Sequence, residues 1–341
     1  MTFEIQSTRA ITILLCLVVV CYSLSTFQRN HLWKDNFSLW TDCVKKSPQK
    51  ARPHNNLGNA YRDKELYDHA ITHYKRALKI WPTYSLAHNN LGVAYGLKKL
   101  YSQALKEIGL AIRLNPGFSR AYNNLANAYK ALGQYDKALE HYHHAITLNP
   151  NHPDIYYNLG NTYAFKKNYD SAIEAYLKSL SLKPDSPKVY LNLGNIYSQQ
   201  ALWKKALSSY KKAIVLKPTY AEAYNNWGAT LNKLTRYSEA IEVLEKARKL
   251  KSTFFEIYNN LGNAYYGLAQ YEKAVKSYQQ SLKHNSISFS AHFHLASIYL
   301  EHIQDKQRAL YHLKSALKLN PDHPTAIDLK KWILALESKT R

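Results

Sequence analysis

The chain has 341 residues and carries 46 Lys and Arg against 24 Asp and Glu, a formal net charge of +22. Its three cysteines, Cys16, Cys21 and Cys43, all lie near the N-terminus, which excludes a disulfide framework in the remainder of the chain. The excess of positive charge favours contact with an anionic partner such as a lipid surface. Nucleic acid is disfavoured, because no recognised binding motif accompanies the charge.

The N-terminal region contains the longest apolar run. Residues 1–9 form a short tail, and Ala10–Phe27 is predicted to be a transmembrane helix or signal anchor, because a span needs about 20 apolar residues. The alternative is a cleaved signal peptide, although no small-residue cleavage site follows the run. Basic residues after the run favour cytoplasmic repeats, but the positive-inside rule is weak for long domains.

Residues 28–50 are predicted to be a juxtamembrane half-repeat. Asn36–Pro48 matches the second half of the repeat unit that follows it, with Trp40, Cys43 and Pro48 at equivalent positions. A half-repeat would join the apolar segment directly to the rest of the chain, so a flexible linker is not expected.

A period of 34 residues dominates the rest of the sequence. Units begin at residues 51, 85, 119, 153, 187, 221, 255 and 289. Each of these residues is position 1 of its repeat, and the other positions are counted from it. Small residues recur at positions 8 and 20, large apolar residues at positions 7, 11 and 24, and proline at position 32 in most units. Each unit is therefore predicted to be a pair of helices that buries its apolar side only against its neighbours.

These residues resemble the tetratricopeptide repeat. The resemblance implies an all-α, right-handed solenoid of helical hairpins, with eight repeats over residues 51–322. The one transmembrane helix expected before them is predicted from the apolar run at residues 10–27. Residues 323–341 are predicted to be a C-terminal capping helix, in which Ile327, Trp332, Ile333 and Leu336 form the apolar side.

The junction before the repeats carries a second resemblance. Arg29, Asn30, Trp33, Leu39 and Trp40 are spaced as in the juxtamembrane segment of transmembrane, tetratricopeptide-containing O-mannosyltransferases and their bacterial relatives. In that family a hydrophobic glycosyltransferase portion precedes the junction, whereas one predicted span precedes it here. The resemblance implies that the catalytic portion is not part of this chain, and it places the repeats on the periplasmic or lumenal side of a membrane.

Asparagines recur on the first helix of each repeat, at positions 6 and 9. Because positions 2, 6, 9 and 13 point away from the apolar face, they are predicted to line a concave groove. One interpretation is that the amides brace neighbouring helices. The other is a ladder that binds the backbone of an extended peptide, since each amide offers two donors and an acceptor; this is similar to the tetratricopeptide superhelix of O-GlcNAc transferase. The predicted peptide-binding residues are Asn56, Asn59, Asn90, Asn124, Asn127, Asn158, Asn161, Asn192, Asn195, Asn226, Asn260 and Asn263.

The excess positive charge is predicted to lie on the opposite, convex surface, where the second helices and turns carry it. This set comprises Lys75, Arg76, Lys79, Lys204, Lys205, Lys211, Lys212, Lys217, Lys246, Arg248, Lys249 and Lys251. A basic surface close to a membrane anchor suits anionic lipid.

Catalytic motifs are lacking in the sequence, which contains no phosphate-binding glycine loop, nucleophile elbow or paired carboxylates. No cofactor is implied, and the histidines around His141 and His144 lack the third ligand that a zinc site needs. The predicted function is therefore a membrane-anchored scaffold that binds a protein or extended peptide in its groove. The alternative is the substrate-recruiting tail of a split membrane O-glycosyltransferase, whose multi-pass catalytic subunit would be a partner.

Overall fold

The computed structural model describes residues 14–27 and 33–338, and these residues form helices joined by short turns, without a strand among them. The chain divides into two compact units, Met1–Thr162 and Tyr163–Arg341. The all-helical prediction is confirmed for the described part of the chain.

Residues 14–27 belong to an apolar helix, α1. The helices that follow are α2 (Asn36–Lys46), α3 (Ala51–Asp63), α4 (Tyr67–Ile80), α5 (Ser85–Leu97), α6 (Tyr101–Leu114), α7 (Ser119–Ala131), α8 (Tyr135–Leu148), α9 (Pro153–Phe165), α10 (Tyr169–Leu182), α11 (Pro187–Gln199), α12 (Trp203–Leu216), α13 (Ala221–Lys233), α14 (Tyr237–Leu250), α15 (Phe255–Gly267), α16 (Tyr271–His284), α17 (Phe289–Glu301), α18 (Lys306–Leu319) and α19 (Ala326–Ser338).

Close packing of two helices within a repeat depends on small residues. Ala70 and Ala104, at position 20, are completely buried. At position 8, a Cβ atom on Gly58 would lie 2.6 Å from the ring of the buried Tyr74. A larger side chain there would force the two helices apart, since packed interiors have no spare volume. These small residues therefore set the geometry of the helical hairpin.

The turn between the two helices of a repeat has a constant backbone conformation. Position 15 has a positive φ in seven repeats, and the equivalent residue of the eighth, Gln304, has φ 61°. Only Gly133 is a glycine among these residues, whereas Lys99 and Thr235 adopt φ 61° and 55° with a side chain present. The tight turn therefore imposes a left-handed conformation that most L-residues disfavour.

The prediction of a transmembrane helix at residues 10–27 is not supported. Within residues 14–27 and 33–338, no helix has the length and apolar character that crossing a membrane requires. Residues 10–13 of the predicted span, and residues 28–32 after it, lie outside the described residues.

The last helix, α19, differs from its predicted pattern. Leu329, Ile333 and Leu336 are buried against the preceding repeat. Ile327 and Trp332 were expected on the same face but are 66% and 38% exposed. Leu329 lies on the buried face instead of these two residues, because it is one helical turn from Ile333.

Candidate functional site

Asparagine side chains on the first helices hydrogen-bond to one another from repeat to repeat. The amide nitrogen Nδ2 at position 6 donates to the Oδ1 oxygen at position 5 of the preceding repeat. In the first unit these bonds run from Asn90 to Asn55 (3.0 Å), from Asn124 to Asn89 (2.9 Å) and from Asn158 to Asn123 (3.1 Å).

Bonds within each repeat extend this series. The position 5 amide donates to the position 6 oxygen of the same helix, from Asn55 to Asn56 (3.1 Å), from Asn89 to Asn90 (3.4 Å) and from Asn123 to Asn124 (3.5 Å). Seven side chains are thereby linked in one continuous chain. We call this the amide ladder: Asn55, Asn56, Asn89, Asn90, Asn123, Asn124 and Asn158.

A shorter series of the same kind occurs in the second unit. Asn260 donates to Asn225 (2.9 Å), Asn225 donates to Asn226 (3.1 Å), and Asn226 donates to Asn195 (2.9 Å). The last bond uses position 9 of the preceding repeat, because position 5 there is Leu191 and has no acceptor. The series ends on a different partner, but the inter-repeat contact is kept.

The position 9 asparagines accept a hydrogen bond from the buried tyrosine at position 24. The hydroxyl-to-Oδ1 distances are 2.8 Å for Tyr74 and Asn59, 2.6 Å for Tyr142 and Asn127, 3.0 Å for Tyr210 and Asn195, and 2.7 Å for Tyr278 and Asn263. Burial raises the pKa of the Tyr74 hydroxyl to about 12, so this group remains a neutral donor at physiological pH.

All twelve predicted residues are therefore engaged inside the fold. Asn161 and Asn192 have interaction partners as well. An amide can make up to four hydrogen bonds, and the ladder uses about half of that capacity at position 6. The amides consequently brace neighbouring repeats and retain unused groups on the first helices.

Sequence reasoning missed the position 5 asparagines. Asn55, Asn89 and Asn225 are buried, and each accepts a bond from the next repeat. The repeated Asn-Asn pair was the signal that could have identified them. A helical wheel of one repeat does not show which position of the next repeat it meets, and that register decides the pairing.

An apolar pocket of about 270 Å³ lies beside the ladder in the first unit. Asn124 and Asn127 form its polar edge. Its other lining residues come from α5, α6 and α7: Gly92, Val93, Gly96, Leu97, Tyr101, Ala104, Ile108, Ala128 and Ala131.

The pocket exists because the second repeat departs from its neighbours at three positions. Val93 and Ile108 stand where the first repeat has the Asn59–Tyr74 pair, and Gly96 stands where it has Arg62. A Cβ on Gly96 would meet only the Ala104 Cβ, at 4.0 Å. Gly96 and Ile108 are smaller than Arg62 and Tyr74, and Val93 is apolar where the first repeat has an amide. Together they leave an apolar space next to the amides of Asn124 and Asn127.

In the second unit, three buried oxygens on the first helices lack a hydrogen-bond donor among the described residues. They are Asn232 Oδ1, Glu256 Oε2 and Asn259 Oδ1. Glu256, Asn259 and Asn260 share one face of α15, and Asn232 Nδ2 donates to the Asn260 carbonyl oxygen (2.8 Å). A buried acceptor without a donor costs about 1–3 kcal/mol, so this set is suited to a ligand that donates hydrogen bonds.

Histidines pair between the two helices of the first and last repeats, at positions 4 and 23 of the first repeat and at the equivalent positions of the last. The two Nδ1 atoms are 3.1 Å apart in His54 and His73, and 2.9 Å apart in His292 and His312. Residues 14–27 and 33–338 contain no group of three or more His, Cys, Asp or Glu side chains placed to hold a metal ion. In each pair, the two ring nitrogens lie within hydrogen-bonding distance and link the two helices of the repeat.

Comparison with known proteins agrees with this architecture. Tetratricopeptide repeat profiles match residues 118–185, 187–220 and 255–286, and TPR repeat profiles match residues 58–99 and 230–268. In solved structures, similarity is found to the APC/C hetero-tetramer Cut9–Hcn1 (TM-score 0.59, 19% identity, 85% of this chain and 57% of that one). Pseudomonas aeruginosa pilF is also similar (TM-score 0.55, 18% identity, 62% and 96%). These two likenesses concern the fold alone.

Curated relatives include Protein O-mannosyl-transferase TMTC1 of Homo sapiens and of Mus musculus. Each is 32% identical to this chain over 69 residues, which is 20% of this chain. The match spans only 8% of the human protein and 7% of the mouse protein. The profiles together cover more than half of the residues, and the chain belongs to the tetratricopeptide repeat family.

Proposed function

We propose that the chain is a scaffold that binds an extended peptide segment of a protein partner along the first helices. The observation that carries this proposal is the apolar pocket beside Asn124 and Asn127. Fixed amides can bond to a peptide backbone of any sequence, and an adjacent apolar cavity supplies a preference for one side chain.

The amide ladder supports binding by holding its side chains in place. In the second and third repeats, the position 6 amides of Asn90 and Asn124 are each fixed by bonds to position 5 of their own repeat and of the preceding one. Ordering these side chains in advance lowers the entropic cost that a peptide meets on binding. The donor-deficient oxygens Asn232 Oδ1 and Asn259 Oδ1 supply acceptors for backbone N–H groups in the second unit.

The pocket sets the expected chemistry of the ligand. An apolar cavity of about 150 Å³ is large enough for benzene, so the pocket of about 270 Å³ accommodates one large aliphatic or thioether side chain. We therefore expect peptides with Leu, Ile or Met at one position, and tolerance at the flanking positions.

The test uses a library of random 12-residue peptides (~12 residues spans the first helices of several repeats at ~3.3 Å per residue) selected on the full chain. Gly96→Leu fills the pocket without a clash, because only Ala104 Cβ lies within 4.0 Å of the new Cβ. Gly109→Leu, on α6 with nothing within 4 Å, makes the same substitution outside the pocket lining. We expect Gly96→Leu to weaken binding of selected peptides at least tenfold and Gly109→Leu to leave it unchanged.

Two results would count against the proposal. One is the absence of any selected peptide above background on the unmodified chain. The other is equal affinity of the selected peptides for both glycine variants, because the pocket would then not be part of the site. Circular dichroism of both variants checks that each is folded.

A membrane attachment is proposed for the N-terminal segment. The described helical residues 14–27 are exposed throughout, including Leu14, Leu17 and Val19 at 62%, 57% and 62%. So much exposed apolar surface on one helix favours contact with lipid. Resistance of the full chain to alkaline carbonate extraction from membranes tests this proposal, and complete release would contradict it.

The match with the O-mannosyl-transferases supports a second candidate function. The repeats would present a polypeptide substrate to a membrane O-glycosyltransferase carried on another polypeptide, with the repeats on the periplasmic or lumenal side. Co-purification of the full chain with a multi-pass glycosyltransferase, and its loss in Gly96→Leu, would favour this function over a general scaffold.

A further inference from the structure

The second helix of the fifth repeat, α12, is strongly basic. It carries four exposed lysines, Lys204, Lys205, Lys211 and Lys212, which we call the lysine patch, and no acidic residue. Side chains seven residues apart lie on one side of a helix, so Lys204 pairs with Lys211 and Lys205 with Lys212 along the same surface. The four positive charges therefore share the outward face of one helix.

The first turn of α12 also contradicts the preference of helices for acidic residues there. Cations near a helix N-terminus are disfavoured by the helix dipole, and anions are favoured. Five other second helices have an acidic residue in the first turn: Asp68, Asp136, Asp170, Glu239 and Glu272. In α12 the corresponding residues are Lys204 and Lys205. Residues that lower the stability of their own helix are typical of a functional surface.

The second helix of the next repeat, α14, has basic residues too, and two of them have acidic partners. Lys246 bonds Glu242 at 3.0 Å, and Arg248 bonds Glu245 at 2.6 Å. In contrast, the lysine patch has no ion-pair partner within residues 14–27 and 33–338. Within the predicted basic set, α12 therefore carries more residues without an acidic partner than any other described helix.

Apolar exposure next to the lysines distinguishes between anionic partners. Val215 lies on the same outward face and is 70% exposed, and Leu216 is 41% exposed. The nearby rings of Tyr197 and Tyr190 are covered by the ammonium groups of Lys205 (5.6 Å) and Lys212 (5.4 Å), so they are not open to stack nucleic-acid bases. A surface with lysines around an exposed aliphatic residue is complementary to a lipid bilayer, in which charged headgroups lie above an apolar interior.

We propose that the lysine patch on α12 is a docking surface for a membrane rich in anionic phospholipid. Clusters of four or more basic residues on a helix are attracted to the negative headgroup layer, and each contributes roughly fivefold to partitioning. Val215 would enter the interface between headgroups and acyl chains. This orients the second unit with α12 toward the bilayer.

The full chain is tested with vesicles of phosphatidylcholine alone and of phosphatidylcholine with about 30% phosphatidylserine, a fraction typical of anionic leaflets. One variant changes the lysine patch to glutamine. The matched control changes Lys246, Arg248, Lys249 and Lys251 of the α14 region to glutamine, so both variants lose the same charge. Both retain the apolar N-terminal segment, whose contribution is measured on the uncharged vesicles.

We expect the lysine patch variant to lose at least tenfold in phosphatidylserine-dependent binding, and the α14 control to lose less than threefold. Val215→Ser should reduce the same binding about threefold, since burial of apolar side chains contributes to interfacial binding. Binding of the unmodified chain should fall steeply as salt rises from 50 to ~300 mM.

Equal losses in the two charge variants would overturn the proposal, because net charge alone would then account for binding. An absence of phosphatidylserine dependence would overturn it as well. If the lysine patch variant kept vesicle binding but lost binding to poly-glutamate or to polyuridylate, the patch would be a protein or nucleic-acid surface instead. Circular dichroism of each variant separates these outcomes from unfolding.

Discussion

The first and second repeats have the same helical frame but different pairs of side chains between their helices. The first repeat joins Asn59 to the buried Tyr74 hydroxyl, whereas the second has Val93 and Ile108 at these positions. The consequence is a filled, hydrogen-bonded contact in one repeat and an apolar pocket in the next. The difference shows that a few variable positions determine whether a repeat has a pocket. The small residues maintain the helix packing that both repeats share.

Gly58 and Gly96, on the first helices of these two repeats, should respond to alanine in opposite ways. Gly58→Ala should lower the free energy of unfolding by about 2–3 kcal/mol, because its Cβ would lie 2.6 Å from Tyr74. Gly96→Ala should raise it by up to about 1 kcal/mol, since alanine favours helix and the site is open. Urea unfolding followed by circular dichroism measures both, and changes of the same sign would break the comparison.

The amide ladder joins the second repeat to the third through Asn89, so loss of this side chain should affect both of these repeats. Asn89→Ala removes the acceptor of Asn124 (2.9 Å) and the donor to Asn90 (3.4 Å). Unpaired buried amides should cost about 2 kcal/mol. Hydrogen exchange should show faster opening of α5 and α7, whereas Gln103→Ala, on the exposed face of α6, should not change it. Equal exchange in both variants would contradict a bracing role.

The pair of side chains at positions 4 and 23 also differs between repeats, and this difference predicts how the stability of each repeat depends on pH. The second repeat pairs His88 with Glu107 (2.7 Å), but the first and last repeats pair two histidines. Burial and nearby His54 and His69 lower the pKa of His73, and burial and His292 lower the pKa of His312 to about 4.

A histidine whose pKa is lowered in the folded state binds fewer protons there than it does in the unfolded chain. Its contribution to stability is therefore complete above about pH 6.5 and declines as the pH falls toward 4. For His312 we expect a loss of about 1–2 kcal/mol between pH 7 and 5. His312→Gln should flatten this dependence in urea titrations at the two pH values; an unchanged slope would show that the pair does not titrate in this range.

The smallest effect is expected from the tyrosine hydroxyl itself. Tyr74→Phe keeps the ring and removes the bond to Asn59 (2.8 Å), so the free energy of unfolding should fall by about 1 kcal/mol. A thermal melt beside Tyr67→Phe, which changes a tyrosine outside this bond, measures the difference. Identical melting temperatures would mean that Asn59 finds water instead.

The repeat frame could be predicted from the sequence because its determinants are local. Small residues such as Gly58 and Ala70 recur with the period, and their spacing alone indicates close helix packing. The site was predictable only in part. The position 6 and 9 asparagines were found, but their partners at position 5 depend on the register between repeats, which no single helix encodes.

The pocket could not be predicted for a related reason. Gly96 and Val93 are unremarkable in a helix, and they open a cavity only together with Ile108 of the next helix. The α19 pattern failed similarly, since the exposure of Ile327 depends on where the previous repeat ends. Contacts between elements, rather than the elements themselves, limited the inference from sequence.

The left-handed residue in each turn has a consequence for how such arrays gain heat resistance. Position 15 is a glycine only at Gly133, while a β-branched residue, Thr235, holds φ 55°. A left-handed L-residue costs about 1 kcal/mol or more, which glycine avoids. Substitution by glycine at position 15 of one turn after another could therefore raise the melting temperature in small, independent steps. The residues on the two long faces of the solenoid would not need to change.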